Sequence, residues 1–189
     1  VIYNPINKNS IHYNKNQNEK IKLFGNLNHN IVSTGALKKS KDYITLIKAA
    51  NILKVKNIKI NLNIIGDGEE KKNLEKLIKK NNLSQNVKLL GYIEDPFPYL
   101  LNADLYVNSS IYDGLPLSII EALISKIPIV STDCESGPRE ILKNGKYGSL
   151  VPINDYKSLA IEMEKILNKK IFIGKVTEED ILLYDSKEI

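Results

Sequence analysis

From residue 31 onward the apolar positions of this chain fall into two alternating textures. Short apolar runs that end near Gly or Asp are each followed by a stretch in which apolar side chains recur every three or four residues. The first texture reads as buried strands and the second as amphipathic helices. Strands are expected at 31–37, 58–65, 87–90, 103–107, 127–131 and 149–151. Helices are expected at 42–53, 69–80, 96–101, 116–124, 138–142 and 156–167. In the helix at 42–53, Ile44, Ile47, Ala50 and Leu53 fall on one face. Strands alternating with helices imply βαβ units and a mostly parallel sheet covered on both faces, a Rossmann-like doubly wound α/β domain over 31–168. Residues 1–30 are polar and rich in Asn and Lys, and read as a lead-in or linker; 169–189 read as a tail.

Ligands of such sheets sit at the carboxyl ends of the strands, near the point where strand order reverses. The loops after strands are therefore the places to look for chemistry. The segment SSIYDGLPLSIIEALISKIP, 109–128, is the most informative. Asp113 lies in a loop after a strand, and Pro116 suits the first position of the next helix. The amides of Leu117 and Ser118 would then be unpaired at a helix N-terminus, a natural anion site. Glu121, one turn further in, is placed to accept hydrogen bonds from a diol such as a ribose. The same spacing also fits a plain surface: Ser118, Glu121 and Ser125 would form a solvent-facing stripe, and Asp113 a turn residue.

Three further loops are candidates. Gly35 to Asp42, GALKKSKD, is a strand-to-helix turn in which Lys41 can meet a diphosphate as a point charge. It lacks the spacing of a P-loop and of a dinucleotide fingerprint. Gly66-Asp67-Gly68 reads as a tight turn with helix capping. Gly91-Tyr92-Ile93 ends a strand, and its backbone is placed to meet a nucleobase edge. Arg139 reads as half of a structural ion pair, and Cys134 as a small buried residue.

Composition narrows the function classes. Lys and Arg total 27 against 22 Asp and Glu, a net of +5, and Arg139 is the sole arginine. Lys, Ile and Asn together supply 76 of 189 residues, spread evenly along the chain. Scattered lysines without arginine clusters do not make a nucleic-acid surface, though a weak attraction to an anionic membrane surface fits them. A single cysteine excludes an internal disulfide framework. His12 and His29 lack metal-ligand spacing. No apolar run is long enough to span a bilayer.

Taken in order, these segments resemble the donor-nucleotide domain of retaining glycosyltransferases of family 4, with the GT-B fold, over roughly residues 2–168. Tyr3-Asn4-Pro5-Ile6 looks like the entry to the second domain, and Gly35-x-Leu37 with Lys41 like the first phosphate loop. Ile64 to Gly68, Val87 to Tyr92 and Ala103 to Ser110 match successive strand ends. Asp113-Gly114-Leu115-Pro116 leads to Glu121-Ala122, and Pro128 to Leu142 and Gly148 to Asp155 complete the set. The family hallmark is two glutamates with seven residues between them; here Asp113 and Glu121 stand at those positions, the first shortened by a methylene. Ala36 stands where members often carry Arg.

The resemblance implies transfer of a sugar, with retention, from a nucleotide-diphosphate sugar, with UDP the favoured base, to a glycan or lipid-linked acceptor of a bacterial surface polysaccharide or glycoconjugate. It implies catalytic roles for Asp113, on the donor sugar, and Lys41, on the diphosphate. Glu121, Leu117, Ser118, Gly114, Pro116, Gly35, Tyr92 and Ile93 would line the nucleotide site. No metal or cofactor is implied. The acceptor would be held by an N-terminal domain outside this chain, at the cytoplasmic face of the membrane, with peripheral association and no nucleic-acid partner. The isolated chain would bind nucleotide and transfer poorly. A non-catalytic nucleotide-sugar-binding subunit and a sugar-nucleotide epimerase of the same fold are the alternatives.

Overall fold

In the computed structural model the residues described are 22–24, 28–114, 116–135, 137–169 and 177. The expected entry at Tyr3 to Ile6, Leu115, Ser136 and nearly all of the tail lie outside them. Six strands form one parallel sheet: β1 (His29–Thr34), β2 (Ile60–Ile65), β3 (Val87–Gly91), β4 (Leu105–Asn108), β5 (Ile129–Thr132) and β6 (Ser149–Val151). Their spatial order is β3-β2-β1-β4-β5-β6, so the sheet is doubly wound and its order reverses between β1 and β4.

Helices α1 (Tyr43–Val55), α2 (Lys71–Lys80) and α6 (Tyr156–Leu167) cover one face. Helices α3 (Phe97–Asn102), α4 (Leu117–Ile124) and α5 (Pro138–Ile141) cover the other. The strands alternate accordingly. Ile31, Leu62, Ile64, Leu105, Val107 and Val130 enter the α1–α2–α6 core, and Val32, Ile65, Tyr106 and Ile129 the α3–α4–α5 core. Each fully buried aliphatic side chain among them contributes about 1.5–3 kcal/mol.

Most elements stand within two or three residues of expectation, and three differences have clear causes. The buried stripe of α1 runs through Tyr43, Leu46, Ile47, Ala50 and Leu53, and Ile44 is exposed, because at 3.6 residues per turn it lies on the opposite side of the helix from the fully buried Leu46 and Leu53. The polar lead-in is not irregular throughout. Residues 22–24 are helical, Phe24 is buried against Tyr99 with ring centroids 5.8 Å apart, and β1 begins at His29. Pro116 occupies the position before α4, not its first residue; its carbonyl accepts the Ile119 amide, and its ψ of 79° is outside the helical range.

Candidate functional site

The loop after β1 is shaped by glycine and by its neighbours. Gly35 has φ +146°, and a β-carbon there would stand 3.2 Å from both Lys41 Cε and the Tyr43 hydroxyl. That hydroxyl donates to the Gly35 carbonyl at 3.1 Å; burial holds it well above the ordinary tyrosine pKa, so it stays a neutral donor. A single 3₁₀ turn, Lys39–Lys41, carries the chain to Asp42, which adopts φ 43° and caps α1 by accepting the Thr45 amide at 3.2 Å. Lys41 is thereby folded back over Gly35.

The Gly66–Gly68 segment braces this loop from behind. The Gly35 amide donates to Ile65 O, the Leu37 amide to Asp67 O, and the Glu70 amide to Leu37 O, each at 2.9 Å. A β-carbon at Gly68 would lie 2.5 Å from Leu37 O. Its function is support, as a tight turn implies, and the hydrogen bond from Lys71 holds the exposed Asp67 carboxyl below the usual carboxylate range.

Across the switch point, small hydroxyls and an amide organise the loop after β4. Asn108 donates to Ser131 Oγ at 3.1 Å, Ser110 Oγ to Asn108 Oδ1 at 2.8 Å, and Thr132 Oγ1 to Ser110 O at 2.6 Å. Two further bonds cross between the loops: Ser109 Oγ to Lys41 O at 2.8 Å and the Ile111 amide to Ser40 O at 2.9 Å. They bring Lys41 Nζ onto Asp113 Oδ2 as an ion pair, each side chain 14% exposed. Ser110 Oγ lies 3.4 Å from the same carboxylate oxygen. Asp113 is therefore more than a turn residue. Gly114 is exposed with open space around it.

At the start of α4 the Leu117 and Ser118 amides find no backbone acceptor among the described residues, and no side chain caps the helix. Those are the free donors expected of an anion site. Gly137, at φ +99°, packs against Pro116 so closely that a β-carbon there would fall 2.5 Å from Pro116 Cδ. The loop after β5 thus backs the loop after β4.

Ser118, Glu121 and Ser125 do not form a solvent-facing stripe. Ser125 is buried and donates to Glu121 O at 2.8 Å, while Ser118 and Glu121 are half-buried. Ser118 Oγ lies against the Tyr106 hydroxyl without the geometry of a full hydrogen bond. Tyr106 is fully buried, its hydroxyl 3.4 Å from Thr34 Oγ1, and burial pushes its pKa up to about 12. Glu121 is pushed up to about 7, first by burial and then by the charge of Asp95.

The structure thus brings Gly35, Lys41 and Asp113 into one cluster, with Pro116 and the Leu117 and Ser118 amides at the adjoining helix start. Glu121 makes no ion pair with Lys41 among the described residues; the charge that acts on it after burial is that of Asp95, on the loop after β3 that also carries Tyr92 and Ile93. Gly91 has φ +77° and its carbonyl accepts the Gly66 amide at 2.8 Å; Tyr92 is 78% exposed, and Ile93 packs at the edge of the α3–α4–α5 core. Asp95 and Tyr43 were not singled out in the sequence. Ahead of α3, Asp95 accepts the Phe97 amide at 3.0 Å. Arg139 forks onto Asp133 as an exposed pair, in line with a structural role. Cys134 is buried, and burial raises its thiol pKa. No group of three His, Cys, Asp or Glu side chains is placed to hold a metal among the described residues.

The model of the family described as glycosyl transferases group 1 matches residues 14–179. The chain belongs to that family. The poly(ribitol-phosphate) alpha-N-acetylglucosaminyltransferase of Staphylococcus aureus is 32% identical over 148 residues, 76% of this chain and 30% of that protein. The N-acetylgalactosamine-N,N'-diacetylbacillosaminyl-diphospho-undecaprenol 4-alpha-N-acetylgalactosaminyltransferase of Campylobacter jejuni is 34% identical over 129 residues, 68% of this chain and 34% of its own. Among solved structures, Anabaena HepE in complex with UDP-glucose superimposes with a TM-score of 0.83 at 22% identity, over 98% of this chain and 53% of HepE. The domain thus has the Rossmann-like fold found in GT-B glycosyltransferases. It spans about a third of the length of these two curated relatives. No helix among the described residues is long and apolar enough to cross a membrane.

Proposed function

We propose that this chain is the donor-binding, C-terminal half of a retaining glycosyltransferase of family 4. It takes a nucleotide-diphosphate sugar, with UDP as the base, and serves a glycan or lipid-linked acceptor. The observation that carries this reading is the meeting of Lys41 and Asp113 at the switch point of the sheet, beside the Leu117 and Ser118 amides, which have no backbone acceptor among the described residues. Cation, carboxylate and helix N-terminus together match the needs of a sugar diphosphate.

In this reading the diphosphate lies between Lys41 and the two amides, over Gly35. As the anomeric bond breaks, charge gathers on the leaving diphosphate, and these fixed donors stabilise it. Loss of one such donor typically costs about 10²–10³ in rate. Asp113 accepts hydrogen bonds from donor-sugar hydroxyls. Glu121 holds the ribose diol, and the backbone of Tyr92 and Ile93 meets the base. Ala36 contributes no charge, so Lys41 carries the side-chain contact to the diphosphate alone. The chemistry asks for no metal, and nucleotide binding should persist in chelator.

UDP is favoured by the UDP-glucose bound to HepE, and a surface-glycan or lipid-linked acceptor by the names of the two bacterial relatives. The acceptor is assigned to an N-terminal domain, at the cytoplasmic face of the membrane with peripheral attachment. A titration panel of UDP, GDP and ADP, each with and without sugar, tests the reading. The expected result is micromolar binding of one family, sharply but measurably weakened by Lys41→Ala and weakened less by Glu121→Ala. Absence of binding across the panel would reject the donor site. Efficient transfer by the 189 residues alone would reject the need for a second domain.

A further inference from the structure

The two charged groups of the candidate site hold each other. Lys41 and Asp113 come from opposite sides of the switch point and form an ion pair that is largely shielded from water. The pair is locked in place. Ser109 Oγ on Lys41 O and the Ile111 amide on Ser40 O tie the two loops together, and the lysine stem lies against Gly35. Ser110 Oγ adds a contact of 3.4 Å to the same carboxylate oxygen. A diphosphate laid on the loop after β1 needs the ammonium that Asp113 already occupies.

We propose that Asp113 is a specificity-determining residue: by competing with the diphosphate for Lys41, it makes the site favour an intact nucleotide sugar over the bare nucleoside diphosphate. This rests on the donor-site reading above. An intact donor supplies a substitute for each member of the pair, phosphate oxygens for Lys41 and sugar hydroxyls for Asp113. A bare nucleoside diphosphate supplies only the first. It strands a shielded carboxylate beside a multiply charged anion, and a like-charge juxtaposition of that kind is costly. The same competition speeds departure of the spent nucleotide once the sugar has gone.

Calorimetric titration of the 189-residue chain tests this, with UDP, GDP and ADP as bare nucleotides and UDP-glucose and UDP-N-acetylglucosamine as sugar donors. Asp113→Asn keeps the shape and removes the charge. It should tighten the preferred bare nucleotide about tenfold, the scale of one partly shielded ion pair. It should give the sugar donor no comparable gain, so the preference for donor over bare nucleotide collapses. Asp113→Ala should show the same gain, and thermal unfolding checks that both variants fold. In a Lys41→Met background the gain should shrink to about threefold or less, since only direct repulsion is left to relieve. Unchanged or weaker binding of the bare nucleotide by both folded variants would overturn the competition. An undiminished gain without Lys41 would also overturn it. A wild-type chain that binds no nucleotide overturns the donor-site reading itself, and the competition with it.

Discussion

The α-carbon of Gly66 is pressed against the main chain of Gly35: a β-carbon at 66 would sit 2.0 Å from the Gly35 carbonyl oxygen and 2.8 Å from its carbon. Both are backbone atoms of the loop that carries Lys41, so the clash cannot be relieved by a side-chain rotation. Gly66 also has φ +146°, a conformation that L side chains rarely adopt. Gly66→Ala should push the loop outward, with a stability loss of more than about 2 kcal/mol. Nucleotide affinity should fall with it. Gly114→Ala, where the added carbon meets open space, should leave the thermal midpoint within about 2 °C. Unfolding curves of the two variants side by side make the comparison.

Glu121 gives a pH dependence whose sign is fixed. Its carboxyl titrates near 7 in the fold and near 4.5 in the unfolded chain. Between those values the folded state binds more protons, so this group lowers stability as pH rises from 4.5 through 7. Glu121→Gln removes the penalty. At pH 8 the variant should be more stable by about 1–3 kcal/mol, allowing for its partial exposure, or roughly 2–12 °C in midpoint. The gap should close toward pH 4.5. Thermal scans at pH 5 and pH 8 read both limits, and an equal shift at the two pH values would contradict the assignment.

Asp42 pulls in two directions. Its left-handed backbone is costly for a residue with a β-carbon, yet its carboxylate caps α1 through the Thr45 amide. Asp42→Asn, which tolerates that backbone and retains an acceptor, should be close to neutral. Asp42→Ala should lose the cap and keep the strain, at about 1–2 kcal/mol. Chemical denaturation of the pair separates the contributions.

Tyr43→Phe removes the hydroxyl that donates to the Gly35 carbonyl. The ring stays packed in the core while the Gly35 carbonyl loses its donor. A loss of about 1 kcal/mol is expected, with a weaker grip on nucleotide. Arg139→Ala, which removes an exposed pair with Asp133, should change stability by less than about 1 kcal/mol and leave nucleotide affinity unaltered. A large loss of affinity would instead make Arg139 a ligand contact.

The strands and helices were legible because their apolar periods are strong, and α6 begins and ends where the pattern does. The position of Ile44 was not, because apolar spacing alone does not tell which of two neighbouring stripes a packed partner will cover. Asp113 and Lys41 were legible as candidates by residue type and location. The resemblance placed both at one nucleotide site; that they bind each other directly was not legible, since that contact is set by β1–β4 pairing and the bonds at Ser109 and Ile111. Asp95 gave no signal in the sequence, because its charge acts on Glu121 only through the folding of the loop after β3. The bracing role of Gly66 and Gly68 becomes visible only when the carbonyls of residues 35 and 37 are seen opposite them.

The ties between the two loops end largely on peptide groups: the carbonyls of Ser40 and Lys41 and the N–H of Ile111. Peptide groups are the same whatever side chain they carry. Replacement of outward-facing side chains therefore leaves this frame in place, as long as Gly35, Gly66, Gly68 and the Ser109 hydroxyl are kept.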